Sequence, residues 1–161
     1  MADLIGETIV IDETKAGKFQ ARVTSGSSTF LVDEPAVAGG LGSGPNPYDL
    51  LSAALGACTL MTVRLYADQK KWPLERVQVK VTHHRAALTA KDLFAKEIVL
   101  EGPLDEAQRA RILAIAERCP VHLTLTRGSE VQTTIAPAPT GAEAATGCGH
   151  MEAMEEACRG A

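Results

Sequence analysis

The feature that most constrains the fold is a long apolar helix that follows a loop rich in glycine and proline. The loop, residues 34–45, breaks any regular element. Asn46 then offers a helix N-cap, and Pro47 occupies the first helical position. From Leu50 to Leu65 the helix is apolar on nearly every face, which is typical of a helix buried on all sides. We predict that it runs to Lys70 and forms the centre of the fold.

Strands and a second helix occupy separate parts of the rest of the chain. Three short strands before the loop form two hairpins, and two alternating strands after the apolar helix pair with each other. An amphipathic helix over residues 104–119, capped by Asp105, precedes a final strand. This order predicts an α+β fold with helices packed on antiparallel sheets. The predicted strands span residues 7–12, 19–23, 28–32, 77–83, 94–100 and 130–135.

Length and composition are those of one globular domain with a tail. The chain has 161 residues, of which 45% are hydrophobic and 22% charged, so it can bury a core without cross-links or metals. We predict one domain over residues 1–136. Residues 137–161 begin with the composition of a flexible linker and end in a short helix over residues 151–158.

Charge and N-terminal composition exclude several classes of partner. The net charge of −4 argues against a nucleic-acid partner, since such proteins carry basic surfaces. The N-terminus lacks a secretory signal, and no apolar run is long enough to predict a membrane span. These observations predict a cytoplasmic protein. Cytoplasmic thiols are kept reduced, so the four cysteines are predicted to be catalytic, metal-binding or idle rather than structural disulfides.

Cys58 and Cys119 are predicted to lie where their thiols could react. Cys58 lies inside the apolar helix, where a cysteine is by default an inert small hydrophobe. Small residues before it would let a substrate or another element approach its sulfur, and Cys119 is predicted at the end of the second helix. If the two helices pack, the pair suits hydroperoxide reduction through a sulfenic acid and a disulfide. The small residues are Ala53, Ala54, Gly56 and Ala57.

A buried cysteine becomes a nucleophile only if a cation stabilises its thiolate. Arg22, on an N-terminal strand, is one candidate for this cation. Arg64, roughly two turns along the helix from Cys58, is a second. An arginine at either position is more often a solvated surface charge.

Other side chains suggest other chemistry. His122 follows the second cysteine closely and raises the hypothesis of a Cys58/His122 acyl-transfer hydrolase, although a polar strand residue is the simpler interpretation. Cys148, His150 and Cys158 are residue types that bind zinc, but their spacing matches no closed tetrahedral site. We therefore predict no metal site, and the glycine-rich loop lacks the signatures of a nucleotide cofactor site.

Two motifs in the chain resemble those of the OsmC/Ohr family. The first, residues 44–59, reads GPNPYDLLSAALGACT, and Asp33-Glu34-Pro35 precedes it. The second, residues 118–122, reads RCPVH. The resemblance runs from about Lys18 to Ile135. It is most similar to the OsmC-like branch that carries Asn/Ser-Pro-Tyr-Glu/Asp-Leu-Leu.

The resemblance implies both an architecture and a site. The architecture is an intertwined homodimer, in which two long central helices are wrapped by sheets from both subunits and the active sites lie at the interface. The site has Cys58 as the peroxidatic cysteine and Cys119 as the resolving one. An arginine on an N-terminal strand, carried over to Arg22, and a glutamate near the helix start complete it. Tyr48 stands at the glutamate's position here, which makes its neighbour Asp49 the candidate carboxylate.

The sequence thus predicts a thiol-dependent peroxidase that acts in oxidative-stress defence. Organic hydroperoxides are the implied substrates, hydrogen peroxide is a second candidate oxidant, and a dithiol such as a lipoylated protein is the implied reductant. The alternative is a redox-sensing or ligand-binding OsmC-like protein without efficient turnover. Cys148 and Cys158 are open candidates for a thiol relay.

Overall fold

A computed structural model of the chain describes residues 8–137 and 148–159. These residues form two compact units. The strand unit contains residues 8–50, 131–137 and 148–149, and the cysteine unit contains residues 51–130 and 150–159. Glu7, at the start of the first predicted strand, and most of the predicted linker lie outside the described residues. The mixture of helices with antiparallel sheets confirms the α+β class.

The strand unit contains a three-stranded antiparallel sheet. Its strands β1 (Ile9–Glu13), β2 (Ala21–Ser25) and β3 (Ser28–Val32) are arranged in the order β1-β2-β3. Val23 at the middle of β2 is buried. A short 3-10 helix, Ala36–Ala38, follows the sheet. The two predicted hairpins are therefore confirmed, with strand ends that differ by up to two residues.

The loop between this sheet and the central helix is organised by one carboxylate. The buried side chain of Asp33 accepts hydrogen bonds from the backbone N–H groups of Glu34, Leu41 and Ser43, at 2.8, 3.0 and 3.3 Å, and from the Ser43 hydroxyl at 2.7 Å. Gly40 is required here, because a Cβ atom would lie 1.9 Å from the carbonyl oxygen of Glu34. The glycine-rich segment is therefore a tightly folded loop that leads the chain into the helix.

Helix α1 (Pro47–Gln69) begins and ends close to its predicted bounds. The side chain of Asn46 accepts hydrogen bonds from the backbone N–H groups of Tyr48 and Asp49, at 2.9 and 3.0 Å. The Asp49 carboxylate accepts one in return from the Asn46 N–H group at 3.0 Å, which completes a capping arrangement. The buried residues of α1 are Leu55, Cys58, Thr59, Thr62, Val63, Tyr66 and Ala67.

Within a single chain, α1 is buried along one side rather than all round. Leu51 and Met61 are 42% and 49% exposed, and Ala53, Ala54 and Ala57 are also exposed. The prediction of burial on every face is therefore wrong for the single subunit. Contrary to the expectation that no apolar run is long enough, α1 has the length and composition of a membrane span; the core helix of a soluble protein shares both properties.

The cysteine unit packs helices on a hairpin. Strands β4 (Arg76–His84) and β5 (Leu93–Glu101) pair antiparallel, as predicted, and α2 (Glu106–Ala116) follows them. Asp105 caps α2 by accepting a hydrogen bond from the Gln108 N–H group at 2.7 Å, as predicted. A core cluster joins residues of α1, of α2 and of the segments that flank the hairpin. Its buried members are Val63, Ala67, Leu74, Leu104, Ile112 and Ala116.

Two predictions for the C-terminal third of the domain were wrong. Helix α2 ends at Ala116, and a separate helix, α3 (Pro120–Arg127), begins at the proline. A proline is favoured in a first helical turn because its missing N–H group has no partner to lose there. Cys119 is therefore the N-cap of α3 rather than part of the last turn of α2. Residues 130–135 are not a strand, and no described strand pairs with them.

The short helix predicted near the C-terminus is present as α4 (Gly149–Arg159). Met154 and Cys158 of this helix are buried. Cys158 packs with Tyr66 and Ile115, and its sulfur lies 3.9 Å from the carbonyl oxygen of Thr62. The C-terminal helix therefore contributes to the hydrophobic core of the cysteine unit.

We expect Met154→Ala to lower the free energy of unfolding by about 2 to 5 kcal/mol, because the substitution leaves a cavity beneath α4. Urea unfolding of the reduced protein measures this change. Met151→Ala on the same helix is the matched control, since Met151 is 44% exposed, and its effect should stay below about 1 kcal/mol. Equal effects of the two substitutions would contradict the packing of α4.

Candidate active site

The two cysteines predicted to act together lie side by side in the cysteine unit. Cys58 on α1 and Cys119 at the start of α3 are 2% and 0% exposed and belong to one buried cluster. The two thiols interact, and a hydrogen bond between them is the largest influence on the pKa of each. The backbone N–H group of Val121 donates to the Cys58 sulfur at 3.4 Å. The first turn of α3 thus faces the pair, and a helix N-terminus favours a thiolate.

Apolar side chains surround the cysteine pair and keep water away from it. A low local dielectric strengthens every charge and hydrogen bond that reaches the sulfurs. The few polar groups near the pair therefore decide which thiol ionises. The apolar residues packed in this cluster are Leu55, Val81, Phe94, Val121 and Leu125.

These polar groups collect at Cys119. The hydroxyl oxygen of Thr59, a fully buried residue of α1, lies 3.3 Å from the Cys119 sulfur. The ammonium nitrogen of Lys96 lies 3.5 Å from the same hydroxyl oxygen, and the Lys96 side chain is only 8% exposed. An ammonium group can only donate, so Thr59 accepts from Lys96 and directs its own proton to the sulfur. Thr59 is thus a hydrogen-bond donor to Cys119.

The two thiols have opposite pKa shifts. The hydrogen bond from Cys58 lowers the pKa of Cys119 to about 5 against the opposing effect of burial, aided by the Thr59 hydroxyl, the His122 backbone N–H group and the charge of Lys96. The hydrogen bond to Cys119, together with burial, raises the pKa of Cys58 far above its usual range. The reduced pair therefore carries one negative charge, centred on Cys119, and one proton, held by Cys58.

Lys96 also connects this pair to the end of α2 and to α3. Its ammonium group donates to the carbonyl oxygen of Ala116 at 2.9 Å and lies 3.2 Å from Nδ1 of His122 and 3.5 Å from a carboxylate oxygen of Glu117. Nε2 of His122 lies 3.5 Å from the other carboxylate oxygen. His122 thus accepts from Lys96 through Nδ1 and carries its proton on Nε2. Both ring nitrogens are engaged, which gives the Cys58/His122 hydrolase hypothesis no support.

The contacts described for the other predicted site residues do not include the cysteine pair, and two of these residues have local roles. Arg22 is exposed on β2, and Asp49 is exposed at the start of α1, where it completes the helix cap. Both belong to the strand unit, so their proposed action on the cysteines stays a prediction. Arg64 donates hydrogen bonds to the carbonyl oxygens of Leu74 and Glu75, at 2.6 and 3.2 Å, which fixes the turn after α1.

Lys96, Thr59 and Glu117 were not predicted as site residues. A signal for Lys96 was present, because residues 94, 96, 98 and 100 share the less exposed face of β5 and only residue 96 is charged. A lysine on the inward face of an alternating strand requires a buried partner. The sequence did not distinguish Thr59 and Glu117 as site residues, because threonine within a helix and glutamate at a helix end are both common.

The two cysteines near the C-terminus are not part of this pair. Cys148 is exposed in the strand unit, and burial raises the pKa of the Cys158 thiol. All four cysteines are free thiols. Among the described residues, no group of three or more His, Cys, Asp or Glu side chains is arranged to hold a metal ion.

The fold and the buried pair define a small α+β protein with a dithiol centre. Residues 40–134 match the family described as OsmC-like protein, and the chain belongs to this family. No curated protein is significantly similar to it in sequence.

Solved structures from several bacteria share the fold. A putative osmotic stress induced and detoxification response protein from Psychrobacter arcticus has a TM-score of 0.64 and 21% identity, over 73% of this chain and 86% of that one. An organic hydroperoxide resistance protein OsmC from Legionella pneumophila has a TM-score of 0.58 and 24% identity, over 76% and 90%. The organic hydroperoxide resistance protein OhrB of Bacillus subtilis has a TM-score of 0.51 and 20% identity, over 75% and 91%.

We expect diamide to convert the reduced protein into a form with one disulfide, between Cys58 and Cys119. Their sulfurs are already in hydrogen-bond contact, and the Cys119 thiolate is the attacking group. Peptide mapping of the unreduced protein by mass spectrometry identifies the bond. Cys148→Ser is the matched control and should give the same product. A disulfide that contains Cys158 would contradict this geometry.

Proposed function

We propose that this protein reduces organic hydroperoxides with the Cys58 and Cys119 pair and acts in oxidative-stress defence. The observation that carries the proposal is the packing of two buried cysteines in one cluster, where a backbone N–H group donates to the Cys58 sulfur and the Thr59 hydroxyl lies 3.3 Å from the Cys119 sulfur. A dithiol of this kind can both cleave an O–O bond and close the resulting disulfide.

The first step forms a sulfenic acid. The Cys58 proton moves along the hydrogen bond to Cys119, and the Cys58 sulfur attacks one peroxide oxygen. The O–O bond breaks, and the alkoxide leaves with the proton held by Cys119 as an alcohol. Cys58 is oxidised to the sulfenic acid, the hydroperoxide is reduced, and Cys119 is again a thiolate.

The second step closes the disulfide. The Cys119 thiolate attacks the Cys58 sulfur, the S–O bond breaks, and the hydroxide that leaves takes up a proton from solvent to form water. An external dithiol then reduces the disulfide by thiol exchange and is itself oxidised to a disulfide. A lipoylated protein would supply such a dithiol. The need for reduced thiols between turnovers agrees with a cytoplasmic location, which remains part of the proposal.

Family membership and similar structures support this proposal without specifying a substrate. The chain belongs to the OsmC-like family, and two of the structures that share its fold are described as organic hydroperoxide resistance proteins. At 24% identity or less these structures share only the fold with this chain. The assignment of hydroperoxides therefore depends on the cysteine pair itself.

A redox sensor is the second candidate function. The observation that favours it is the burial of both sulfurs, which are 2% and 0% exposed and so restrict access of an oxidant. A sensor would be oxidised once and recycled slowly. A peroxidase would sustain turnover with excess hydroperoxide and dithiol, so the number of turnovers distinguishes the two functions.

We expect Cys58→Ser to abolish turnover of an alkyl hydroperoxide. Cys119→Ser should consume one equivalent and stop, because the sulfenic acid on Cys58 has no partner for a disulfide. Stopped-flow kinetics follow the first oxidation, and a dimedone-type probe traps the sulfenic acid for mass spectrometry. Cys148→Ser is the control and should turn over like the unaltered protein. Trapping at Cys119 in the Cys58→Ser protein would reverse the two assigned roles.

A second subunit is also part of the proposal. The exposed stripe of α1, formed by Leu51, Ala53, Ala54, Ala57 and Met61, is apolar throughout. A groove of about 290 Å³ beside it, between α1 and β4, is lined by small and apolar residues. An exposed apolar surface of this kind is typical of a protein interface. The homodimer implied by the family would bury it.

We expect one species of about twice 17.0 kDa in sedimentation experiments at micromolar concentration. Met61→Glu, on the exposed stripe, should shift the protein toward the monomer because it places a charge in an apolar interface. Thr126→Glu, at an exposed position of α3, is the matched control and should not change the mass. A stable monomer of the unaltered protein would contradict the dimer.

A further inference from the structure

We propose that Lys96 is a positioning residue that keeps Cys119 ionised, so that Cys119 receives the proton of Cys58 and later closes the disulfide. This inference extends the proposed function and rests on it for its catalytic meaning. Its structural basis is independent of any substrate. It is the path from the Lys96 ammonium group through the Thr59 hydroxyl to the Cys119 sulfur.

Lys96 is a buried cation that needs partners. Its side chain is 8% exposed, and an ammonium group removed from water is unstable without acceptors and a negative charge. Three acceptors receive its three protons: the Ala116 carbonyl oxygen, the Thr59 hydroxyl oxygen and Nδ1 of His122. The nearest carboxylate, Glu117, has a side chain that is 54% exposed and lies 3.5 Å away. The Cys119 thiolate is thus a second, fully buried anion for this cation.

The hydrogen bonds at the Cys119 sulfur all run in one direction. Because Lys96 occupies a lone pair of the Thr59 oxygen, the Thr59 proton points to Cys119. The His122 N–H group and the Cys58 thiol also donate to the Cys119 sulfur. Every polar contact described for this sulfur comes from a donor, which favours the thiolate and disfavours the thiol.

Lys96 is the positive group in this network that favours the Cys119 thiolate. Lys96 on β5 is positive, and His122 on α3 places Nδ1 beside Lys96 and Nε2 beside Glu117. Glu117, between α2 and α3, is the one negative group described in this network, and it contacts Lys96 and His122. Cys58 on α1 contributes a thiol proton. Removal of Lys96 would leave Cys119 with its hydrogen bonds but without the positive charge that lowers its pKa.

The proposed proton path gives Lys96 a role in both chemical steps. A Cys119 thiolate accepts the proton that Cys58 must lose before it attacks the peroxide. After that proton leaves with the alkoxide, the same thiolate attacks the Cys58 sulfenic acid. Without Lys96, Cys119 would be a thiol in a larger fraction of molecules, and closure of the disulfide would slow. The slower closure would leave more Cys58 as sulfenic acid.

The experiment titrates the thiolate of the reduced full-length protein by its absorbance near 240 nm. A Cys148→Ser background removes the exposed thiol from the signal. We expect a midpoint of about 5 for Cys119. Lys96→Met should raise it by about 1 to 3 pH units, the range typical for loss of an adjacent opposite charge. Lys80→Met is the matched control on the same hairpin, since Lys80 is 71% exposed and pairs only with Glu97 among its described ion pairs, and it should leave the midpoint unchanged.

If Lys96→Met does not fold, variants of Thr59 test the same inference by the same titration. Thr59→Val preserves the shape of the side chain but removes the hydroxyl, and should also raise the midpoint. Thr59→Ser should restore it. After one equivalent of alkyl hydroperoxide at pH 6, Lys96→Met should accumulate more dimedone-reactive Cys58 than the Lys80→Met control, because the Cys119 thiolate fraction falls about twofold if the midpoint rises from 5 to 6 and about tenfold if it rises to 7. A purely structural role for Lys96 would change stability without moving the midpoint.

The possible failures are distinguishable. A folded Lys96→Met protein with an unchanged midpoint would overturn the inference, and so would an unchanged midpoint in Thr59→Val. Failure of the unaltered protein to consume hydroperoxide would overturn the proposed function, whatever the midpoints show. A raised midpoint in both variants, with restoration by Thr59→Ser, would establish that Lys96 controls the ionisation of Cys119.

Discussion

The buried ammonium group of Lys96 is the interaction on which the geometry of the site depends. A charge at this depth is stable only if its acceptors are held in place, and those acceptors come from α1, from the end of α2 and from α3. By binding the Ala116 carbonyl oxygen and His122, Lys96 fixes the corner where α2 ends and α3 begins. Cys119 lies between these two helices. The contacts of Lys96 with Ala116 and His122 therefore hold the Cys119 sulfur beside Cys58 and also bring a positive charge near it.

The family resemblance placed the activating charge elsewhere, on Arg22 with a carboxylate partner. Asp49 is instead used locally, as the reciprocal partner of Asn46 in the α1 cap. The predictions for Lys96 and Arg22 are compatible, because each cation would act on a different sulfur of the pair. Lys96 supports the sulfur that is already ionised. A second cation beside Cys58 would help that sulfur to release its proton, and Arg22 is the prediction for this role.

The sequence was informative where local chemistry decides the structure. Asn46 and Pro47 set the start of α1 correctly because cap and proline preferences act within one turn. Pro120 was misinterpreted, since the same residue that ends one helix can begin the next. Residues 130–135 alternate like a strand, but Val131 and Ile135 are 84% and 97% exposed, and no described strand pairs with this segment. The role of Lys96 depends on contacts between distant segments, which periodicity does not report.

The opposite pKa shifts of the two thiols also affect the redox balance of the pair. From pH 5 upward, until Cys58 ionises, the reduced pair holds one proton, whereas two ordinary thiols hold two below their usual pKa. Reduction of the disulfide in this range therefore takes up two electrons and one proton. The reduction potential should fall by about 30 mV per pH unit, against about 59 mV for ordinary dithiols. As the pH rises from 5 toward the usual thiol pKa, an ordinary dithiol reductant thus gains reducing power over this disulfide, which favours recycling of the oxidised protein.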